Sequence, residues 1–242
     1  MILSEWCWLL PAVLVLACSS LGAQTVNVKG RVTLETFKGR AANSSDAVIW
    51  LNPSNSIAVS PKFPRTAAPA RYRLVQKNKR FVPHILVVPL GAVVDFPNDD
   101  PFFHNVFSLF DGKRFDLGLY EAGTTRAVTF NSAGVSYIFC NIHPQMSAVV
   151  IVTQSPYYAI SSASGDFAIN SVLPGRYQLN VWHERCLPET LKSLSREVEI
   201  SPSSFSLGQI RLAESGDLLA KHKNLYGRDY EPPPPTASYN QP

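Results

Sequence analysis

Between Tyr72 and Thr153 this sequence is cut into short apolar runs at near-regular intervals, and that rhythm narrows the fold more than any other feature. Candidate strands begin near Tyr72, Ile85, Ala92, His104, Phe115, Thr125, Val135 and Ala148, with Gly91, Gly112, Gly123 and Gly134 between them. Short strands separated by turn residues predict an all-β sandwich or barrel. No stretch of this region keeps a helical apolar period long enough to stand alone. Composition agrees: 45% hydrophobic and 17% charged residues describe a globular chain, and 242 residues allow one or two domains with a sizeable core.

The flanks carry further strands. Val26 to Leu34 alternates apolar and polar residues, and Asp46 to Leu51 is rich in β-branched ones. From Asn52 to Ala70 the composition shifts to Pro, Ser and Ala, a linker or long loop. Beyond the central region, Gly165–Ile169, Leu173–Trp182, Arg196–Ile200 and a stretch near Gly208 to Leu212 also read as strands. From Ala213 the pattern fades, and residues 213–242 are expected to be a flexible tail, extended at Pro232 to Pro235. Within it, Lys221-His222-Lys223 and Tyr226 to Tyr230 are a candidate docking segment.

The N-terminus reads as an export signal. Trp6 to Ala17 is apolar but too short to span a bilayer, although the usual Lys or Arg before it is missing. Processing after Gly22 or Ala23 makes 1–23 the signal. Alternatively, Val15-Leu16-Ala17-Cys18 resembles a lipobox, which makes 1–17 the signal and Cys18 a lipid anchor. Either way the mature chain is expected to be periplasmic or otherwise exported, without a transmembrane span. A formal net charge of +4, without aromatic–basic repeats, excludes a nucleic-acid reading. Cys140 and Cys186 remain in the folded part, and an exported pair could form a disulfide.

Against that disulfide stands Cys140-Asn141-Ile142-His143-Pro144-Gln145-Met146, which places a thiol, an imidazole and a thioether within one loop. These are the ligand types of a copper site with two His, one Cys and a long axial Met. His104, in Phe102-Phe103-His104-Asn105-Val106, is the best second imidazole. Cys140 would end one strand and His104 begin a neighbouring one, so that the ligands meet at one rim. His84, His183 and His222 take structural readings, as do the loop carboxylates Asp99 and Asp100. No His-x-His pair and no Ser-His-Asp arrangement stands out, so no enzyme is expected.

These residues resemble the cupredoxins. The short Cys-x-x-His-x-x-Met loop, with Pro144 after His143, is most similar to amicyanin; plastocyanins and pseudoazurins have a longer gap before Met. His104-Asn105-Val106 resembles the family's first-ligand signature, and Phe96-Pro97-Asn98-Asp99 the strand end before it. The resemblance covers 71–153 and departs at Asn141-Ile142, where amicyanin has Thr-Pro. It implies a Greek-key β-sandwich holding one mononuclear copper, cycling between Cu(I) and Cu(II). His104, Cys140 and His143 would form the ligand plane and Met146 the weak axial contact. It also implies that the Asn105 backbone N–H approaches the Cys140 sulfur. Phe102, Phe103 and Phe107 are candidate apolar walls of the site or, for one or two of them, simply core. His143, with Pro144, would be the electron port at the surface.

The function so implied is one-electron transfer between redox protein partners, with the basic run Lys62 to Arg80 as a candidate steering surface. Copper delivery or storage is the alternative, against which a chain with only two Met counts. A structural β-sandwich with a vestigial site is the third reading.

Gly165-Asp166-Phe167 and Leu173-Pro174-Gly175-Arg176-Tyr177-Gln178-Leu179 resemble the carboxypeptidase regulatory-like, or transthyretin-like, sandwich. That family opens with a Gly-Arg-Val strand, here Gly30-Arg31-Val32, and a second strand like Ala47 to Leu51. Both precede the copper region, and a two-stranded hairpin alone is marginal. The expectation is a split seven-stranded sandwich from 24–60 and 154–212, with the cupredoxin inserted into it at an exposed loop. Two domains in series are the alternative.

Overall fold

The computed structural model describes residues 24–36, 43–54, 71–109, 112–203, 206–216 and 222–231. The signal, Cys18, Lys62, Arg65 and the Pro232 to Pro235 run lie outside them.

The chain opens with β1 (Val26–Glu35) and β2 (Val48–Pro53). On β1 the alternation read from the sequence is real: Val26, Val28, Val32 and Leu34 are buried while Asn27, Lys29 and Arg31 face solvent. The central region follows as β3 (Arg71–Arg73), β4 (Val75–Lys77), β5 (Arg80–Val82), β6 (Ile85–Pro89) and β7 (Ala92–Pro97). It continues as β8 (His104–Ser108), β9 (Phe115–Tyr120), β10 (Thr125–Phe130), β11 (Gly134–Phe139) and β12 (Ser147–Thr153). Each strand start read from the sequence here coincides with an observed one to within a residue. The β4–β5 hairpin is additional. Its turn residues Asn78 and Lys79 both have φ of 54°, the left-handed pair that a two-residue hairpin turn needs.

The chain ends as β13 (Tyr158–Ile160), β14 (Asp166–Val172), β15 (Gly175–Trp182), α1 (Pro188–Leu194), β16 (Arg196–Ile200) and β17 (Ser206–Ala213). Helix α1 is too short to give a periodic signal. Pro188 suits its first turn, where no N–H partner is required, and Leu191 buries its inner face.

Two sheets make the central sandwich: β6-β12-β11-β8-β9 opposite β10-β7-β3. Val94, Phe96, Val128 and Phe130 of the smaller sheet meet Val106, Ile138 and Val150 of the larger in one core. Strands β1 and β2 do not join these sheets. β1 pairs with β14 and β17, and β2 with β13 and β15, giving sheets β14-β1-β17 and β13-β2-β15-β16. A seven-stranded outer sandwich is therefore interrupted by the central one rather than followed by it. At its turn into β14, Gly165 has φ of 83° and a Cβ there would stand 1.9 Å from the Val32 carbonyl oxygen, so no other residue fits.

The five-stranded sheet is covered on both faces. On β12, Ala148, Val150 and Val152 enter the central core, while Val149 and Ile151 enter the outer core. That is why this strand reads as an unbroken apolar run. Phe107 and Phe139, with ring centroids 5.8 Å apart, belong to the outer core, and Trp182 donates from Nε1 to Tyr137 Oη across the junction at 3.3 Å. The two sandwiches therefore share buried apolar surface.

Candidate metal centre

Antiparallel pairing of β11 with β8 sets Phe139 opposite Phe107, so the end of β11 lies beside the start of β8. Strand alternation then sorts the side chains. Ile138 and Cys140 share a face, as do Ala148 and Met146, and both pairs point into the central core with Val106. His104 is two residues from Val106 on the same strand. The Cys140–Met146 loop closes on itself: Met146 N–H donates to the His143 carbonyl at 2.9 Å, and Cys140 N–H to the Met146 carbonyl at 3.3 Å.

Three donor atoms converge at this rim. The Nδ1 atoms of His104 and His143 are 3.1 Å apart, and Cys140 Sγ lies 3.8 Å from the first and 3.6 Å from the second. Donors held in a plane at ordinary first-row bond lengths of about 2.0–2.3 Å stand roughly 3.5–3.8 Å from one another. The two sulfur edges match that spacing, while the 3.1 Å edge between the imidazoles is narrower and would have to open by a few tenths of an ångström around an ion. All three residues are buried, and Met146 is fully buried in the same core cluster as Cys140.

The electrostatics favour ligation at the two imidazoles and oppose it at the thiol. Burial lowers the pKa of the His104 imidazole, and burial, then the neighbouring His104 and Lys79, takes His143 down to about 4. Both rings are neutral near pH 7, the form that ligates. Burial raises the Cys140 thiol, against hydrogen bonds from the backbone N–H groups of Asn105, Ile142 and His143. A metal would take the place of the thiol proton.

The rival disulfide is not formed, since Cys140 and Cys186 are both free and buried. Cys186 lies in the outer core, where burial pushes its thiol up to about 11. His84 bonds Glu184 and the Ser147 carbonyl, and His183 bonds the Ser45 carbonyl and the Arg185 N–H, as their structural readings required.

Three expectations change. His143 was to show its ring edge at the surface, but the residue is only 5% exposed. The Phe102 ring lies 5.7 Å from it and 5.2 Å from His104, while Ile142 and Pro144 take the solvent-facing positions beside it. Of the three candidate walls, Phe107 takes the core alternative, standing on the opposite face of β8 in the outer core.

Asp100 is no bland loop carboxylate. It is 4% exposed, and its Oδ2 accepts from His104 Nε2 at 2.8 Å. The N–H groups of Asn78 and Lys79, in the β4–β5 turn, donate to its two oxygens at 2.6 and 2.9 Å. Burial pushes this carboxyl's pKa up, but the bonds from Lys79, His104 and Asn78 outweigh it and hold it below the usual value.

Residues 222–231 are not a free tail. Tyr230 Oη donates to the Cys140 carbonyl at 2.8 Å, and Leu225 N–H donates to Asn141 Oδ1 at 2.9 Å. The His222 ring stacks on Phe139 with centroids 4.0 Å apart, and its Nε2 is 3.0 Å from Tyr230 Oη. The candidate docking segment thus docks on the chain's own Cys140–Met146 loop.

Fold and site together define an all-β protein of two packed sandwiches with a buried His-Cys-His cluster that could hold a metal ion. No family model matches the chain, and no curated protein matches it. Solved structures do. One is the Cu-containing nitrite reductase (NirK) from Thermus scotoductus SA-01, 24% identical over 36% of this chain and 23% of that one, TM-score 0.34. The chain therefore spans less than a quarter of that reductase. Another is a purple cupredoxin from Nitrosopumilus maritimus, 24% identical over 34% of this chain and 99% of that one, TM-score 0.31. A third is an amicyanin mutant in its reduced Cu(I) form, 21% identical over 36% of this chain and 85% of that one, TM-score 0.33.

Proposed function

We propose that this protein is an exported one-electron carrier built around a single copper ion. His104, Cys140 and His143 would hold the ion in a plane and Met146 would make the weak axial contact. The observation that carries the proposal is the buried triangle of two Nδ1 atoms and one Sγ, with edges of 3.1, 3.6 and 3.8 Å. One thiolate and two imidazoles beside a thioether is the donor set that suits copper between its two oxidation states. Bound copper would supply a Cu(I)/Cu(II) couple.

The protein's own part is to hold the donors still. Strands β8 and β11 fix His104 and Cys140, and the closed loop fixes His143 and Met146. Burial of all three donor residues leaves little access for a substrate, which favours outer-sphere electron transfer over catalysis and supports a carrier rather than an enzyme. Electrons would pass through His143 and cross the thin layer of Phe102 and Pro144 to a partner. Lys77, Lys79 and Arg80 sit on the β4–β5 hairpin, with Lys79 Nζ 5.5 Å from the Phe102 ring centroid. They would steer an acidic redox partner to that edge. The test is reconstitution: the apoprotein with one equivalent of Cu(II) becomes intensely coloured, whereas His104→Ala and Cys140→Ala do not.

A further inference from the structure

Asp100 has an unusual amount of structure arranged around it. The loop before β8 is pinned by buried Asn98, whose Nδ2 donates to the Phe102 carbonyl at 2.8 Å and whose Oδ1 accepts from Asp100 N–H at 3.1 Å. Asp99 N–H donates to the Gln76 carbonyl at 2.9 Å, tying the same loop to β4. The left-handed turn residues Asn78 and Lys79 then aim two backbone N–H groups at the Asp100 carboxylate. Two amide donors in a desolvated place stabilise an anion and give a neutral acid nothing to match. The remaining strong contact is His104 Nε2, at 2.8 Å.

The ring of His104 has only two nitrogens to assign. Its Nδ1 faces Cys140 Sγ and His143 Nδ1, so the proton belongs on Nε2 and is donated to Asp100. A ligand imidazole that donates to an anion is a stronger electron donor, and its orientation is fixed. A negative charge one ring away from the ion also favours the more positive of two oxidation states.

We infer that Asp100 is a positioning residue for the metal centre, which locks His104 in its ligating tautomer and weights the site toward Cu(II). This rests on the copper reading above. The fixed anion would set the carrier toward the low end of its potential range, suited to accepting electrons from a strongly reducing partner.

The experiment compares the purified copper protein with Asp100→Asn and Asp100→Glu, by visible spectroscopy and by redox titration against mediators. Asp100→Asn keeps the shape and removes the charge. It should stay coloured while the ratio of Cu(II) to Cu(I) affinity falls about tenfold or more, an upward shift of about 59 mV for each factor of ten. Asp100→Glu should return most of that shift. A potential in Asp100→Asn equal to or below that of the unaltered protein overturns the inference. Should Asp100→Asn fail to fold or load, the reduced unaltered protein decides by proton NMR. A slowly exchanging, strongly downfield Nε2 proton on His104 supports the inference, and a freely exchanging one overturns it. If the unaltered protein takes up no copper, the copper reading itself falls, an outcome distinct from both.

Discussion

Tyr230 reaches back 90 residues to donate a 2.8 Å hydrogen bond to the carbonyl of Cys140, the residue that supplies the only sulfur in the ligand triangle. With Leu225 on Asn141 and His222 on Phe139, this bond makes the C-terminal segment a brace for the loop. Tyr230→Phe removes one bond and leaves a carbonyl unsatisfied, at a cost of about 1–2 kcal/mol. The variant should bind copper and keep its spectrum, but lose the ion faster to a chelator. Equal loss rates in the two proteins would mean that the brace does not act on the loop.

Phe107 tests the division between the two faces of β8. It is fully buried in the core shared with the outer sandwich, while Val106 and His104 take the other face. Phe107→Ala should cost about 3–5 kcal/mol in urea unfolding, with little change in the visible spectrum. The shared core further predicts that the chain unfolds in a single transition. Two well-separated transitions would show that the sandwiches are energetically independent.

His84 and Glu184 join the turn before β6 to the loop after β15 through a contact of 2.6 Å. The hydrogen bond to Glu184, opposed by burial, raises the pKa of His84 above 6.5, and the same bond lowers Glu184 below 4.5. A raised His pKa contributes stability fully below 6.5 and loses it as pH rises through the folded value. The lowered Glu contributes above 4.5 and loses it as pH falls. The pair therefore works between those limits, near pH 6. His183, Arg185 and Asp46 also bear on this pair. Because the His84 side chain is 43% exposed, solvent screening keeps the effect under about 1 kcal/mol. Glu184→Gln should lower the urea midpoint at pH 6 and leave a smaller difference at pH 9. A difference that grows toward pH 9 would reverse the assignment.

Much of this molecule is readable along the chain. Period-two burial marks β1, and glycines separate the central strands. His104, Cys140, His143 and Met146 could be picked out because strand ends and one tight loop present them locally. Asp100 could not, because its role depends on the turn at Asn78 and Lys79, made by strands three residues long that carry no period. Tyr230 was hidden for a similar reason: a polar segment shows no periodicity, and its partner is a backbone carbonyl far upstream. The seclusion of His143 comes from Phe102 and the loop packing around it, a tertiary effect that ligand spacing does not encode. Phe107, three residues from His104 in sequence, points away from it because neighbours on a strand take opposite faces.

Electron transfer by this protein requires that Cys140, with its two imidazoles, holds copper. Visible absorption during titration of the metal-free protein with Cu(II) tests it most directly, with Cys140→Ala run alongside and the fold of both monitored by circular dichroism. The unaltered protein should develop an intense blue or green colour that saturates at one equivalent, and folded Cys140→Ala should stay colourless. A colourless unaltered protein, or a Cys140→Ala that colours equally, would contradict the account.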